Sequence, residues 1–326
     1  MLEKLAKYAR ENKLSDIHIH SDEPLAIRVS GDIRVQKEDF ISQQDVTQFI
    51  QSILDEEQKA HFKKQRDIDL AIAYEDLRFR VNAYNTSRGP AVVMRKIETI
   101  LPSLEDLNLP PAVVEITKEK NGLVLVTGPT GSGKSTTLAA LIDKINRERD
   151  DNIITVEDPI EYIHQSKRSI VSQREVGRDA VSFATALKAM LREDPDVILV
   201  GEMRDLETIS LALTAAETGH LVFGTLHTNG APNSINRILD VFPPQQQAQA
   251  RSQLSQSLRL VVTQQLMKRA DAPGRVAAFE VMVCNVATSN LIRENKVFQI
   301  TQAMQTGKGQ GMMTMEDSVK SLVAKG

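Results

Sequence analysis

The first hundred residues combine helical spacing of apolar side chains with stretches where apolar and polar residues alternate. The apolar positions at the start share one face of an amphipathic helix and are Leu2, Leu5, Ala6 and Ala9. Residues 16–20 and 25–29 alternate as half-buried strands do, and the second returns through a turn at Ser30-Gly31-Asp32 into 33–35. A helix over 43–63 after Ser42 is predicted next. The remaining strands of this part are predicted at 69–74, 78–84 and 92–97.

The pattern changes after residue 122, where short apolar runs alternate with helical segments. These runs span residues 123–127, 153–156, 197–200 and 221–225. Continuous apolar runs are typical of strands buried on both faces, and their alternation with helices predicts parallel βαβ units. The segment 100–111 holds three prolines and suits a linker. We therefore predict a small α/β domain at 1–98, a linker at 99–111 and a doubly wound α/β domain at 112–326.

Composition narrows the class of protein. The 326 residues are 41% hydrophobic and 25% charged, as is ordinary for a globular protein. A net charge of -3, with only 4% aromatic residues, disfavours nucleic acid as a partner. The single cysteine, Cys284, excludes an internal disulfide and a zinc site built on several cysteines, and fits a reducing cytoplasm. No apolar stretch approaches the roughly 18 residues that span a bilayer, so we expect membrane association only through partners or surface contacts.

The sequence Gly128-Pro-Thr-Gly-Ser-Gly-Lys134-Ser135 satisfies the complete G-x-x-x-x-G-K-[ST] phosphate-loop pattern. Its glycines let backbone N–H groups point at phosphate oxygens ahead of a helix N-terminus, predicted here at residues 136–145. Lys134 supplies positive charge at the β and γ phosphates, and Ser135 offers a hydroxyl to Mg²⁺. A strand before the loop and a helix after it give the expected context. The pattern predicts ATP and Mg²⁺ as cofactors.

Two further strands run into carboxylates. The apolar run from Asp196 ends at Glu202, which is either an ordinary solvated acid or a second nucleotide motif; the phosphate loop upstream favours the second interpretation. The run at 153–156 leads into Glu157, Asp158 and Glu161. Alone, such a cluster is more often a polar loop. Beside a phosphate loop it can order Mg²⁺ through water and accept a proton from an attacking water.

Two histidines and three arginines are the remaining candidates. His220 and His227 bracket the run at 221–225, and we interpret them as polar sensors at a nucleotide or subunit interface rather than as metal ligands. Arg78, Arg80 and Arg95 alternate within the strands before the linker. They are equally compatible with a solvated edge strand and with donors that stabilise charge on the γ-phosphate.

Taken together, these segments resemble the secretion ATPase superfamily that drives type II secretion and type IV pili, over essentially the whole chain. GPTGSGKSTT from Gly128 is similar to its Walker A motif, TVEDPIEY from Thr155 to its Asp box and DPDVILVGEMRD from Asp194 to its Walker B motif. AAETGHLVFGTLHTN from Ala215 resembles the His box, and RFRVNAY from Arg78 the arginine-bearing strand. The resemblance implies a PAS-like N-terminal domain and a RecA-like P-loop domain with a helical C-terminal tail.

The resemblance also implies roles for residues. Lys134 and Ser135 would hold phosphate and Mg²⁺, Glu202 would order Mg²⁺ or its water together with Glu157 and Asp158, and Glu161 would be the general base. Arg78 and Arg80 would act in trans or across an interdomain cleft. His220 and His227 would link nucleotide state to domain position. The residues expected to contact nucleotide are Gly128, Pro129, Thr130, Gly131, Ser132, Gly133, Lys134, Ser135, Thr136, His220, His227 and Arg95.

Within the superfamily the chain resembles the PilT-like pilus retraction motors most. It has no four-cysteine zinc insert, and Asn290-Leu-Ile-Arg-Glu294 is similar to their C-terminal signature. The resemblance implies a homohexameric ring at the inner face of the bacterial inner membrane. There, closure of the two domains on ATP would move a membrane platform protein and withdraw pilin, with a second retraction ATPase as a further partner. Pilus assembly, type II secretion, nucleic-acid translocation and a non-hydrolysing regulatory subunit are the alternatives.

Overall fold

The computed structural model describes residues 1–12, 14–29, 31–97, 101–272 and 274–324. The chain forms two compact units, Met1–Ile100 and Leu101–Gly326. The turn residue Ser30, the proposed domain end at 98 and the first two linker residues, 99 and 100, lie outside the described residues.

The first unit is a six-stranded antiparallel sheet with helices on one face. In chain order its elements are α1 (Leu2–Glu11), β1 (Leu14–His20), β2 (Glu23–Val29), β3 (Asp32–Ile41), α2 (Gln43–Ile53), α3 (Glu56–Gln65), β4 (Asp67–Tyr74), β5 (Leu77–Thr86) and β6 (Gly89–Ile97). The strand order is β3-β2-β1-β6-β5-β4. Alternate residues such as Ile17, Ile19 and Val81 are buried in a core with Leu5 of α1 and Phe49 of α2. The alternation predicted from the sequence therefore fills one face of this sheet.

The single helix predicted over 43–63 is wrong, because the chain forms two helices there. Leu54 takes an extended conformation that ends α2. Asp55 then caps α3: its side chain accepts from the backbone N–H of Gln58, whose own side chain accepts from the N–H of Asp55. Such a reciprocal capping box satisfies the backbone N–H groups that are unpaired at the start of a helix. The Asp-x-x-Gln spacing is the sequence signal for this second helix.

The second unit contains a seven-stranded sheet with helices on both faces. Its longer elements are α4 (Pro111–Glu115), β7 (Gly122–Thr127), α5 (Lys134–Glu148), β8 (Asn152–Glu157), β9 (Ile170–Glu175), α6 (Phe183–Met190), β10 (Val197–Val200), α7 (Leu206–Glu217), β11 (Leu221–Leu226), α8 (Ala231–Asp240), α9 (Gln247–Ser257), β12 (Leu258–Lys268), β13 (Arg275–Val283), α10 (Val286–Arg293), α11 (Ile300–Thr306) and α12 (Met315–Ala324). Separate apolar clusters on the two faces of the sheet give the unit two cores.

The strand order of this sheet, β13-β12-β7-β11-β10-β8-β9, determines where its loops meet. Neighbouring strands from β12 to β9 are parallel, and β13 is antiparallel to β12. The loops after β7, β8, β10 and β11 therefore leave the same edge of the sheet. In an open parallel sheet this carboxyl edge is where ligands bind.

The sequence pattern identified the four central strands, and β10 has the predicted bounds of 197–200. The edge strand β9 and the pair β12–β13 were not predicted. Only one of the six residues of β9 is buried, so it lacks the apolar run of a central strand, and Gln264 and Gln265 interrupt the apolar pattern of β12. In the part of the chain that the structure describes, no helix is both long and apolar enough to cross a bilayer.

Candidate active site

The phosphate loop connects the end of β7 to the first residue of α5. Gly128 has φ +136°, and a Cβ placed there would lie 2.3 Å from the backbone oxygen of Gln264, so the loop needs glycine at this position. Gly133 has φ +90° and caps the 15-residue helix α5, which starts at Lys134. Both glycines thus allow the loop to turn tightly in front of a helix N-terminus, whose partial positive charge favours an anion.

Lys134 is held inside this loop. Its Nζ donates to the backbone oxygens of Gly128 at 2.9 Å and of Pro129 at 3.1 Å, and only 9% of the residue is exposed. Burial lowers the pKa of Lys134, while the negative charges of Glu202 and Glu161 act to raise it. The ammonium group is therefore fixed beside the loop, with two carboxylates near enough to affect its charge.

The loop is suited to phosphate. Among the described residues, the hydroxyl oxygen of Ser132 is one of few buried side-chain atoms without a hydrogen-bond partner in the protein. A buried hydroxyl is costly to leave unpaired, and a phosphate oxygen in the loop would satisfy it. The N-terminus of α5, the ammonium of Lys134 and this hydroxyl together match the chemistry of a nucleotide polyphosphate.

Glu202 and His227 lie at the same edge of the sheet. Glu202 follows β10 and forms an ion pair with Arg204, and its Oε1 lies 3.2 Å from Nε2 of His227. The other ring nitrogen of His227 lies 3.5 Å from the hydroxyl of Thr130 in the phosphate loop. Burial acts to raise the pKa of Glu202, but the hydrogen bond and the charge of Arg204, with a smaller contribution from the contact with His227, outweigh it and leave that pKa lowered, so the carboxylate is ionised at neutral pH.

Arg204 was not among the residues predicted for the site. A basic residue two positions after a strand-ending acid was the available signal. Its contact with Glu202 gives this carboxylate a cationic partner at the carboxyl edge of the sheet.

The acidic segment, residues 157–162 at the end of β8 and directly after it, lies next to the phosphate loop. Glu157 ends β8, and its Oε1 accepts from the hydroxyl of Thr155 at 2.7 Å. Asp158 is exposed and precedes a cis peptide bond to Pro159. Glu161 is partly buried and acts electrostatically on Lys134.

A small cavity of about 40 Å³ lies where the phosphate-loop helix, the acidic segment and β10 converge. Ser135 of α5, Glu157 and Tyr162 of the acidic segment, and Gly201 after β10 are among its lining residues. Segments that are far apart in sequence are therefore in contact around the start of α5.

The two predicted histidines lie at opposite ends of β11. His227 directly follows the strand, at the carboxyl edge, whereas His220 directly precedes it. The backbone oxygen of His220 accepts from the N–H of Gly122, the first residue of β7, and its ring contacts the backbone oxygen of Ala215 at 2.9 Å. The prediction that His220 contacts nucleotide is therefore not supported within a single chain, because six extended residues, about 20 Å, separate the two edges.

The three arginines share one face of the first unit's sheet. Arg80 pairs directly with Arg95 across β5 and β6, and Arg78 lies two residues before Arg80. Arg78 is buried, whereas the side chain of Arg80 is 44% exposed and lies 3.5 Å from Asp69. Nε of Arg95 donates to Oδ1 of Asp16 at 2.8 Å. Arg95 thus has a carboxylate partner within its own sheet, which accounts for its position without nucleotide.

The contact between Asp16 and Arg95 predicts a pH-dependent contribution to stability. Burial acts to raise the pKa of Asp16, but hydrogen bonds from Arg95 and Ser15 outweigh it and leave the pKa below its ordinary value of 3.8. A lowered pKa means that this contribution is complete above pH 3.8 and is lost as the pH falls through the folded-state value. Asp16→Asn is expected to lower the free energy of unfolding by about 1–2 kcal/mol at pH 7, and by less in acid.

The measurement is urea unfolding of the full chain at pH 7 and at about pH 3. Asp69→Asn is the matched control, because Asp69 also faces an arginine of this sheet but its side chain is 54% exposed, and its expected effect is below about 0.5 kcal/mol. Equal effects of the two substitutions, or an Asp16→Asn effect that grows in acid, would contradict the assignment.

Comparison with known proteins agrees with this geometry. The family profile described as "Type II/IV secretion system protein" matches residues 1–326. The chain is 52% identical over 301 residues to the "Twitching motility protein" of Neisseria gonorrhoeae, covering 92% of this chain and 80% of that protein. It is 48% identical over 324 residues to the "Type IV pilus retractation ATPase PilT" of Pseudomonas aeruginosa, covering 99% and 94%.

A solved structure shares the fold over nearly the whole chain. The crystal structure of the pilus retraction motor PilT with bound ADP superposes with a TM-score of 0.87 at 43% identity, covering 97% of this chain and 95% of that one. This match agrees with a PAS-like domain followed by a RecA-like ATPase domain, as the resemblance implied. The chain therefore belongs to the type II/IV secretion system protein family, among its PilT-like pilus retraction ATPases, and is an ATP hydrolase.

Proposed function

We propose that this ATPase is a homohexameric motor that powers type IV pilus retraction, and hence twitching motility. The observation that carries the proposal is the placement of Glu161 and Glu202 beside a phosphate loop with a buried lysine, in a chain nearly half identical to a pilus retraction ATPase along almost its full length. The work done by the motor is withdrawal of pilin subunits through a platform protein of the inner membrane, at whose cytoplasmic face the ring acts.

In the proposed site, residues 128–136 surround the triphosphate. The backbone N–H groups of the loop and the N-terminus of α5 bind phosphate oxygens, and the ammonium of Lys134 leaves the carbonyls of Gly128 and Pro129 to neutralise the β and γ phosphates. Thr136 already contacts the acidic segment through a 3.1 Å hydrogen bond to the hydroxyl of Tyr162.

Mg²⁺ is the proposed metal. Among the described residues there is no group of three or more His, Cys, Asp or Glu side chains arranged to hold a metal ion alone. The hydroxyl of Ser135 at the start of α5 fits a site completed by phosphate oxygens and waters, which is how Mg²⁺ usually binds with nucleotide. Glu202, Glu157 and Asp158 would hold the waters of this ion. Bound Mg²⁺ supplies positive charge that stabilises the transferring phosphoryl group.

Glu161 is the proposed general base. It orients the attacking water and accepts its proton, while His227 senses the γ-phosphate side of the loop through Thr130 and Glu202. Arg80, whose side chain is 44% exposed, is proposed to act in trans, from a neighbouring chain of the ring, where a guanidinium would stabilise charge in the transition state; the buried Arg78 lies beside it on the same face of the sheet.

Cells lacking this protein provide the test of its direction of work. We expect excess surface pili and loss of twitching, restored by the wild-type chain but not by a Glu161→Gln chain present at the same level. Restoration by Glu119→Gln, which changes an exposed glutamate in the same unit, is the matched control. Bald cells would instead assign the protein to pilus assembly or secretion, and DNA-stimulated ATP hydrolysis would favour a nucleic-acid translocase.

A further inference from the structure

The segment that carries Glu161 has no helix or strand of its own. It connects β8, which ends at Glu157, to β9, which begins at Ile170. A general base must be held within hydrogen-bond reach of the attacking water, so a segment without regular structure needs other contacts to fix it. The structure shows that side chains from β9 and α5 supply such contacts.

Gln173 of β9 bonds the segment on both sides of Tyr162. Its Oε1 accepts from the backbone N–H of His164 at 2.7 Å. Its Nε2 donates to the backbone oxygen of Tyr162 at 2.9 Å and to Oε1 of Glu157 at 3.2 Å. One amide therefore joins the residue that follows Glu161 to the carboxylate that ends β8.

These contacts need an amide. Its oxygen meets an N–H donor, and its nitrogen meets two oxygen acceptors, one of them a carboxylate. A glutamate at position 173 has nearly the same shape but no donor when ionised. It would face the backbone oxygen of Tyr162 without a hydrogen bond and would place a second negative charge beside Glu157.

Other contacts tie the same segment to the phosphate loop and to β9. The hydroxyl of Tyr162 lies 3.1 Å from that of Thr136, two residues after Lys134. The side chain of Asn146, later in α5, donates to the backbone oxygen of Gln165 at 2.8 Å. Glu175 of β9 accepts from the N–H of Ile160 at 3.0 Å. The residues on both sides of Glu161 are thus fixed relative to the helix that begins at Lys134.

We propose that Gln173 is a positioning residue for ATP hydrolysis, which holds the segment carrying Glu161 in place against the phosphate-loop helix. This inference rests on the proposed role of Glu161 as the general base. Gln173 itself touches neither nucleotide nor water in this scheme; it acts through the backbone of Tyr162 and His164 and through Glu157.

The test is steady-state ATP hydrolysis by the full-length protein with Gln173→Glu and Gln173→Ala. We expect kcat to fall roughly 10- to 100-fold, because small displacements of a reacting group have effects of this size, while the affinity for ADP stays within about twofold. Stabilisation of each variant by ADP in a thermal unfolding assay shows that the phosphate loop is still formed. Gln165→Glu introduces the same charge on an exposed side chain of the same segment and is expected to keep wild-type kcat.

Two results would overturn the inference. A kcat within twofold of wild type in both Gln173 variants would show that the contacts do not affect catalysis. A parallel fall of kcat and ADP affinity would show that Gln173 supports the whole fold rather than the acidic segment. Glu161→Gln separates this inference from the function it rests on. If that variant is inactive and both Gln173 variants are fully active, only the inference fails, whereas an active Glu161→Gln variant removes the role of Glu161 itself.

Discussion

Glu161→Gln is expected to lower kcat for ATP hydrolysis by roughly 10²- to 10⁴-fold, the usual contribution of a general base. The amide keeps the size of the side chain and cannot accept a proton from the attacking water. Lys134 and the loop glycines are unchanged, so binding of ATP is expected to remain within a few-fold of wild type. Loss of turnover with retained binding is the signature of a group that acts in the chemical step.

The measurement pairs phosphate release with equilibrium binding of a fluorescent ATP analogue. Glu119→Gln, in which an exposed glutamate loses the same charge, is expected to leave both quantities unchanged. If Glu161→Gln hydrolyses ATP at the wild-type rate, then another carboxylate at this edge is the base, and Glu202 is the next candidate because it also lies near Lys134.

Lys134→Ala is expected to weaken nucleotide binding strongly and to abolish hydrolysis. Removing one partner of a buried charge pair typically costs about 2–5 kcal/mol, equivalent to a loss of affinity of roughly 30- to 5000-fold. The loss is large here because Lys134 is 9% exposed and its charge is little screened by solvent. At ATP concentrations that saturate the wild-type protein, hydrolysis by the variant is expected to fall below detection.

Binding of ADP by calorimetry and phosphate release are the two readouts for Lys134→Ala. Lys120→Ala removes an exposed lysine before β7 and is expected to behave as wild type. A Lys134→Ala protein with full ATPase activity would show that the nucleotide is hydrolysed elsewhere on the molecule. Circular dichroism matching the wild type excludes unfolding as the cause of a loss, since the variant also removes two hydrogen bonds to the carbonyls of Gly128 and Pro129.

Local sequence determined the parts of this protein whose structure depends on short-range chemistry. The phosphate loop forms because glycine tolerates its positive φ angles. A larger residue cannot replace Gly128, because its Cβ would collide with the backbone oxygen of Gln264. The central strand β10 was predicted at its observed bounds because all four residues, Val197–Val200, are buried. The break between α2 and α3 is also determined by local sequence, through the capping box of Asp55 and Gln58, although the apolar pattern alone does not indicate it.

Only the tertiary structure decided which predicted residues meet. His220 and His227 belong to one motif, but they bracket a parallel strand, and strand direction sends one to each edge of the sheet. Strand order brings Glu202 and His227 to the carboxyl edge beside Lys134, although they lie 68 and 93 positions further along the chain. Gln173 had no signal in the pattern, because a glutamine on a half-exposed edge strand becomes informative only when its amide is seen between two backbone groups. Short segments of sequence determine which chemical groups are available, whereas the pairing of strands that are distant in sequence determines which of these groups lie close together.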